Sequence, residues 1–259
     1  MSGRSVYHLD LNDTMIEGTT IALLPGDPGR VGAIACTAPI ERAREIANKR
    51  EYRTWIGYVG GRPVLVTSTG IGGASTSIAI DELAQLGVRT FLRVGTTGAI
   101  QPDIAVGDVI VTTGAVRLDG ASTHYAPIEY PAVAHHEVVQ ALLAAARELH
   151  VPARPGITCS CDTFYPGQER YDSFTGYVPR RFQGATEEWR RLHVLNYEME
   201  AATVLTLASA MGLAGGCVEG VVVNRTRSEA ITKADLELGE HNAVTVAARA
   251  VGMLLATKP

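Results

Sequence analysis

A chain of 259 residues with 46% apolar and 19% charged residues can bury a full core, which excludes the disordered and fibrous classes. Its 23 basic and 27 acidic residues leave a formal charge of −4, so no broad basic field exists to hold nucleic acid or an anionic membrane, and any anion must be met locally. Four cysteines (Cys36, Cys159, Cys161, Cys217) are too few for a disulfide scaffold, and Cys159-x-Cys161 lacks a second pair at zinc spacing; buried or semi-buried free thiols are expected. Met1 to Asn12 carries Arg4 and Asp10 without an apolar segment, and no run approaches the roughly 18 apolar residues of a membrane helix. The expectation is a cytoplasmic protein, folded as a single domain over residues 1–259 because no linker argues for a split.

In chain order, Thr19 to Leu24 is a short β-prone run stopped by Pro25-Gly26-Asp27-Pro28-Gly29-Arg30. A following helical stretch, Val31 to Cys36, would let backbone N–H groups approach an anion there, with Arg30 adding its fork of donors; the alternative is a turn with a solvated arginine. Glu51 to Gly57 and Arg62 to Thr69 read as two strands joined by the hairpin signal Gly60-Gly61. The second ends in Thr69-Gly70-Ile71-Gly72-Gly73-Ala74-Ser75 and a helix follows to Leu86, repeating the strand, glycine-rich turn and helix of the first unit. Val88 to Val94 is the next strand, ending in Gly95-Thr96-Thr97-Gly98. Arg93 is anomalous within it, since an arginine in an apolar strand costs desolvation unless a carboxylate or a ligand anion meets it.

Asp108 to Thr113 is a further strand, and Glu137 to Leu149 an amphipathic helix terminated by Pro152. Gly156 to Cys161 enters the segment Asp162 to Arg170, whose composition is wrong for a passive loop. Phe164 and Tyr165 can stack on a planar ring, while Gln168 offers an amide donor and acceptor and Arg170 offers donors only, which suits a base bearing carbonyls and an N–H.

Val194 to Glu200 is an apolar run ending in two carboxylates and running into the helix former Ala201 to Ala210. In a helix Glu198 and Glu200 would point apart; at the end of a strand they share a face, and ligands of open α/β sheets gather at strand carboxyl ends. Paired carboxylates there first suggest the acid and nucleophile of a glycosidase. Ala214 to Val223 is a valine-rich strand ending in Asn224-Arg225-Thr226; Ser228 to Gly239 reads as a mobile loop, and Asn242 to Leu255 as the final helix. Strands alternating with helices imply an α/β fold around a mixed, mostly parallel twisted sheet. No internal repeat is present.

The candidates therefore sit at successive strand ends, and their convergence is stronger evidence than any one loop. Pro25-Gly26-Asp27-Pro28, Ser68 to Gly72, Arg93 to Gly98, Asp162 to Arg170, Tyr197-Glu198-Met199-Glu200 and Asn224-Arg225-Thr226 together resemble the nucleoside phosphorylase family with a single-domain, three-layer α/β/α sandwich fold. Phe164 to Arg170 matches the pyrimidine-binding loop of its uridine-cleaving members, and Arg225 stands where purine-cleaving members typically carry an aspartate.

The resemblance implies reversible phosphorolysis of uridine to uracil and ribose 1-phosphate, in pyrimidine salvage, with inorganic phosphate as co-substrate and no cofactor required for the chemistry. Gly26, Arg30, Arg93 and Thr96 would hold phosphate, with Arg50 supplied by a neighbouring subunit. His8, also from the neighbour, would hold the ribose with Met199 and Glu200, and Glu198 would brace the site. Phe164, Gln168, Arg170 and Tyr197 would bind the base, closed by Arg225 and the backbone at Thr97 and Gly98. Arg93, Gln168, Arg170 and Glu200 would carry the chemistry. Glu51, the Ile71 carbonyl and Ser75 match a monovalent-cation (K+) site between subunits. The family's assembly implies a hexamer, a trimer of dimers. Open alternatives are a purine nucleoside phosphorylase or nucleosidase of the same fold, and a non-catalytic nucleoside-binding protein.

Overall fold

The computed structural model describes residues 3–256. Short apolar runs form the strands and the helical periods between them form the crossovers, in the order β1 (Ile21–Leu24), α1 (Val31–Ala35), β2 (Glu41–Lys49), β3 (Tyr52–Val59), β4 (Arg62–Thr67), α2 (Gly73–Leu86) and β5 (Thr90–Ala99). The second half continues with β6 (Val109–Leu118), β7 (Ala132–Val133), α3 (His136–Glu148), β8 (Ala153–Cys161), α4 (Ala185–Arg191), β9 (Val194–Glu198), α5 (Ala201–Ala210), β10 (Ala214–Asn224) and α6 (Lys233–Ala256). All ten strands join one mixed sheet, parallel through β4, β1, β5 and β10.

Alternation along β1 sorts the core into two layers. Ile21 and Leu23 pack with Val31 of α1, Leu142 of α3 and Val251 of α6, whereas Ala22 and Leu24 pack with Leu83 of α2 and Leu207 of α5. Helices therefore cover both faces of the sheet, the three-layer α/β arrangement expected. Pairing does not stop at an open end. β5 pairs with β10, β10 with β6, β6 with β8, β8 with β9, and β9 returns antiparallel to the end of β5 at Gly98 and Ala99. This closed circuit brings the carboxyl ends of β5 and β8 beside β9.

Gly60 and Gly61 both take positive φ, 56° and 80°, as the tight turn between β3 and β4 requires. Elsewhere the structure departs from expectation. β5 continues through Gly95 to Ala99, because this segment has strand partners on both sides, β10 along its length and β9 at its end. β2 was not anticipated: Glu41 to Lys49 is polar and mostly exposed, so it lacks the apolar alternation that marks a half-buried strand. The mobile loop expected over Ser228 to Gly239 is cut short because α6 begins at Lys233, after Asp235 accepts hydrogen bonds from Thr232. Gly239 is helical and packs so closely on β10 that a Cβ on Gly220 would stand 1.8 Å from the Gly239 carbonyl oxygen. All four thiols are free; Cys159, Cys161 and Cys217 are buried, but Cys36, at the end of α1, is exposed.

Candidate active site

The turn after β1 is stitched to the turn after β4, with Thr69 N–H donating to the Pro25 carbonyl at 2.9 Å and Gly70 N–H to the Gly26 carbonyl at 3.0 Å. Within the first turn Asp27 Oδ1 accepts from Gly29 N–H at 2.7 Å, and the Asp27 carbonyl accepts from Arg30 N–H at 3.1 Å. Those two amides are spent on the turn, which leaves the Arg30 guanidinium as the charged donor of this loop. Arg30 Nε lies 3.2 Å from Glu240 of α6, and its buried Nη2 has no hydrogen-bond partner among the described residues. Burial lowers the Arg30 pKa from its ordinary value; Glu240 opposes this and the neighbouring Arg93 adds to it.

Arg93 is buried with three carboxylates around it. Its Nε donates to Glu198 Oε2 at 2.9 Å, Nη2 lies 2.5 Å from Glu200 Oε2, and Nε lies 3.4 Å from Glu219 Oε1. Burial works against the guanidinium charge, but Glu200, Glu198 and Glu219 together overcome it and leave the arginine's pKa raised. Glu198 is the anchor of the cluster: the same Oε2 also accepts from the N–H groups of Glu200 (2.7 Å) and Ala201 (2.8 Å), at the start of α5. A carboxylate there satisfies N–H groups that a helix start otherwise leaves open. Glu200 Oε1 accepts from Gly72 N–H. Burial pushes the Glu200 carboxyl above the usual range against the pull of Arg93, and Glu198 adds to the rise.

The strand-end reading of Glu198 and Glu200 is confirmed in outline: β9 stops at Glu198, Glu200 is the residue before α5, and both reach one guanidinium. Glu219 went unnoticed. A carboxylate inside the run Ala214 to Val223 is the same anomaly as an arginine inside β5, and that test would have found it.

The aromatic loop after β8 is built as a clamp. Arg170 lies over the Phe164 ring, 4.2 Å from guanidinium carbon to centroid. Glu229 accepts from Arg170 Nη1 and, at 2.6 Å, from Arg225 Nε. Arg225 Nη2 donates to the Gln168 carbonyl at 2.9 Å, while its guanidinium carbon sits 5.2 Å from the Tyr197 ring centroid. Arg225 thus fixes the loop from behind. Glu229 was missed because it lies in a polar stretch with no pattern.

One cavity of about 800 Å³ joins these groups. Its walls include Gly26, Arg30, Arg93, Thr96, Thr97 and Gly98 together with Phe164, Gln168, Arg170, Tyr197, Met199 and Glu200. Glu51 and Ile71 also line it, as do the unanticipated Asp172, Val222, Val223, Glu229 and Ile231. Glu198 and Arg225 stand behind the wall. Ser75 Oγ is 3.4 Å from the Ile71 carbonyl, and a Cβ on Gly70 would meet Glu51 Cγ at 3.0 Å and Ser75 Oγ at 3.1 Å, so these three groups do cluster. Among the described residues, no three His, Cys, Asp or Glu side chains are placed to hold a metal ion.

His8 and Arg50 also do not line this cavity within the chain. His8 Nδ1 lies 2.6 Å from Glu82 Oε1, with Glu82 also accepting the His8 and Leu9 N–H groups. Arg50 is exposed in the turn between β2 and β3, with φ 57°.

Residues 20–257 match the model of the phosphorylase superfamily. The chain belongs to that superfamily. It is 52% identical over 255 residues to the uridine phosphorylase of Escherichia coli (strain K12), covering 98% of this chain and 100% of that one. The uridine phosphorylase of Thermococcus kodakarensis is 51% identical over 232 residues, covering 90% of this chain and 81% of its own. A guanosine phosphorylase of Halorubrum lacusprofundi is 38% identical over 198 residues, 76% of each chain. Both halves of the cavity fall within the matched residues.

Proposed function

We propose that the chain is a pentosyltransferase that cleaves uridine reversibly with phosphate, giving uracil and ribose 1-phosphate. The observation that carries this is the placement of Arg30 and Arg93 in the same cavity as Gln168 and Arg170. Along β5, Gly98, which is backed by Arg225, lies five residues beyond Arg93, and at about 3.3 Å per residue those five steps span roughly 16 Å, room for phosphate, sugar and base in a row.

Phosphate, carrying roughly two negative charges near neutral pH, takes Arg30, Arg93, Gly26 and Thr96 as partners. Bond breaking puts oxocarbenium-like charge on the sugar and negative charge on the uracil carbonyls. Phosphate beneath the ring stabilises the first and becomes the nucleophile; Gln168 and Arg170 donate to the second. Glu200 accepts from the ribose hydroxyls with Met199 packed on the sugar, and to do so it shares oxygens that Arg93 and Gly72 already occupy. Tyr197 and Phe164 flank the base. Phosphate takes the place of a glycosidase nucleophile, so Glu198 serves as brace rather than as acid.

His8 and Arg50 complete the ribose and phosphate ends from a neighbouring subunit, which makes a dimer the minimal active unit and a trimer of dimers the assembly. Glu51, the Ile71 carbonyl and Ser75 are the K+ ligands between subunits. The enzyme works in the cytoplasm, in pyrimidine salvage.

Incubating the purified chain with uridine, with and without phosphate, tests the reading. Uracil should appear only with phosphate; release independent of phosphate would mean hydrolysis and end the proposal. A purine preference is disfavoured by Arg225 at the end of β10, and parallel assays with inosine, adenosine and guanosine should give little turnover.

A further inference from the structure

Glu219 lies in β10 in register with Gly95 of β5, and it is fully buried. A Cβ on Gly95 would stand 2.9 Å from Arg93 Nη2 and 3.1 Å from Glu219 Oε1. The absent side chain is what leaves room for a guanidinium and a carboxyl to meet between two neighbouring strands.

The two oxygens of Glu219 are treated differently. Oε2 accepts from Asn196 Nδ2 at 2.7 Å. The same amide nitrogen donates to Thr97 Oγ1 at 2.8 Å, whose own proton goes to the Tyr197 carbonyl, and Asn196 Oδ1 accepts from Thr158 at 2.9 Å, so the amide is fixed with its nitrogen toward Glu219. Oε1 has no hydrogen-bond partner among the described residues; Arg93 Nε lies 3.4 Å from it, already donating to Glu198 at 2.9 Å.

One guanidinium cannot neutralise three buried carboxylates, and the remainder would be two negative charges behind a site for an anion. A proton on one of the three relieves this. Glu198 accepts from two N–H groups at the start of α5 and from the arginine, and Glu200 meets the arginine and Gly72 N–H, so both have charged or aligned donors on their oxygens. Glu219 has only the neutral Asn196 as a firm donor and an open oxygen to carry the proton. Burial first, then the Glu198 charge, pushes its carboxyl well above the usual carboxylate range, with Arg93 opposing. The charged or titratable groups that face it are Arg93 from β5, Glu198 and Glu200 around the end of β9, and the Cys217 thiol on its own strand.

We propose that Glu219 is a positioning residue of the phosphate site: it packs a protonated carboxyl behind Arg93, and loss of that proton weakens phosphate binding. This rests on the phosphorolysis reading above.

The test compares wild type with Glu219→Gln, which keeps the shape and cannot ionise, by measuring KM for phosphate and for uridine from mildly acid to alkaline pH. Phosphate's own second ionisation is common to both enzymes and cancels in the comparison. At neutral pH the two should agree within about twofold; in the alkaline range the wild-type KM for phosphate should rise about tenfold or more above the variant's, with KM for uridine moving together in both. Glu219→Ala should share the variant's flat profile with a lower melting temperature, and it replaces the glutamine variant if that one does not fold. Superposed profiles across the range, or a glutamine variant that already binds phosphate tenfold tighter at neutral pH, would overturn the inference. If wild type itself releases uracil without phosphate, the functional reading fails first, and the two failures are distinct.

Discussion

Arg170 is held at the cavity from two sides, by the Phe164 ring and by Glu229, while its buried Nε has no hydrogen-bond partner among the described residues. A donor held this way meets charge as it develops on a leaving group without first reorganising, and this is where such donors contribute most. Arg170→Ala should lower kcat/KM for uridine by about 100-fold or more, with phosphate affinity retained when measured by calorimetry. Equal loss of both would show that the loop does not serve the base. Glu198 belongs to the opposite case, a group that acts by holding others. One of its oxygens accepts from Arg93 and from two N–H groups of the α5 start, so Glu198→Gln, which weakens all three, should lower unfolding free energy by about 3 kcal/mol in urea melts. Unchanged melts would mean that the helix start finds other acceptors.

Between elements, β10 and α6 meet closely at Gly220 and Gly239. Gly220→Ala places a methyl where the Gly239 carbonyl stands, so α6 must lift from the sheet; the expected cost is about 3 kcal/mol, at the upper end for overpacking, read from denaturant midpoints. A neutral effect would show that the helix slides freely on the strand. The same contact explains why part of the fold was hidden in the sequence. Strands such as β1 and β3, with apolar runs and a Gly60-Gly61 turn, declare themselves locally. β2 does not, because an edge strand need not bury either face, and the early start of α6 does not, because its first turns are polar and one of its packed positions is a glycine. At the site, Arg93 and the aromatic loop were legible as residues out of keeping with their surroundings. Glu219 broke the same rule in a run of valines, and Glu229 broke none: its role exists only because folding carries Arg170 and Arg225 to one place. The roles of His8 and Arg50 came from resemblance, since nothing in their local sequence points to a cavity.

At the scale of the whole molecule, His8 and Arg50 are not among the residues that line the cavity of their own chain. If neighbours exchange them, two inactive variants can repair one another. Co-expressed Arg50→Ala and Arg170→Ala chains should recover about a quarter of wild-type activity, the share of sites left intact by random pairing in a two-fold dimer. No recovery above the separate variants would leave each chain working alone.

The circuit of strands that ends at β9 also bears on how these molecules avoid one another at high concentration. Closure removes the free backbone from that side of the sheet, which leaves β2 as the terminal strand of the ordered path. β2 carries Glu41, Arg42, Arg44, Glu45 and Lys49, slips register twice against β3, and puts Arg42 at φ 52°. Mixed charge and broken pleat make a poor template for a further strand. The sheet is thereby sealed at one end and blunted at the other, so neither end is a ready template for an eleventh strand.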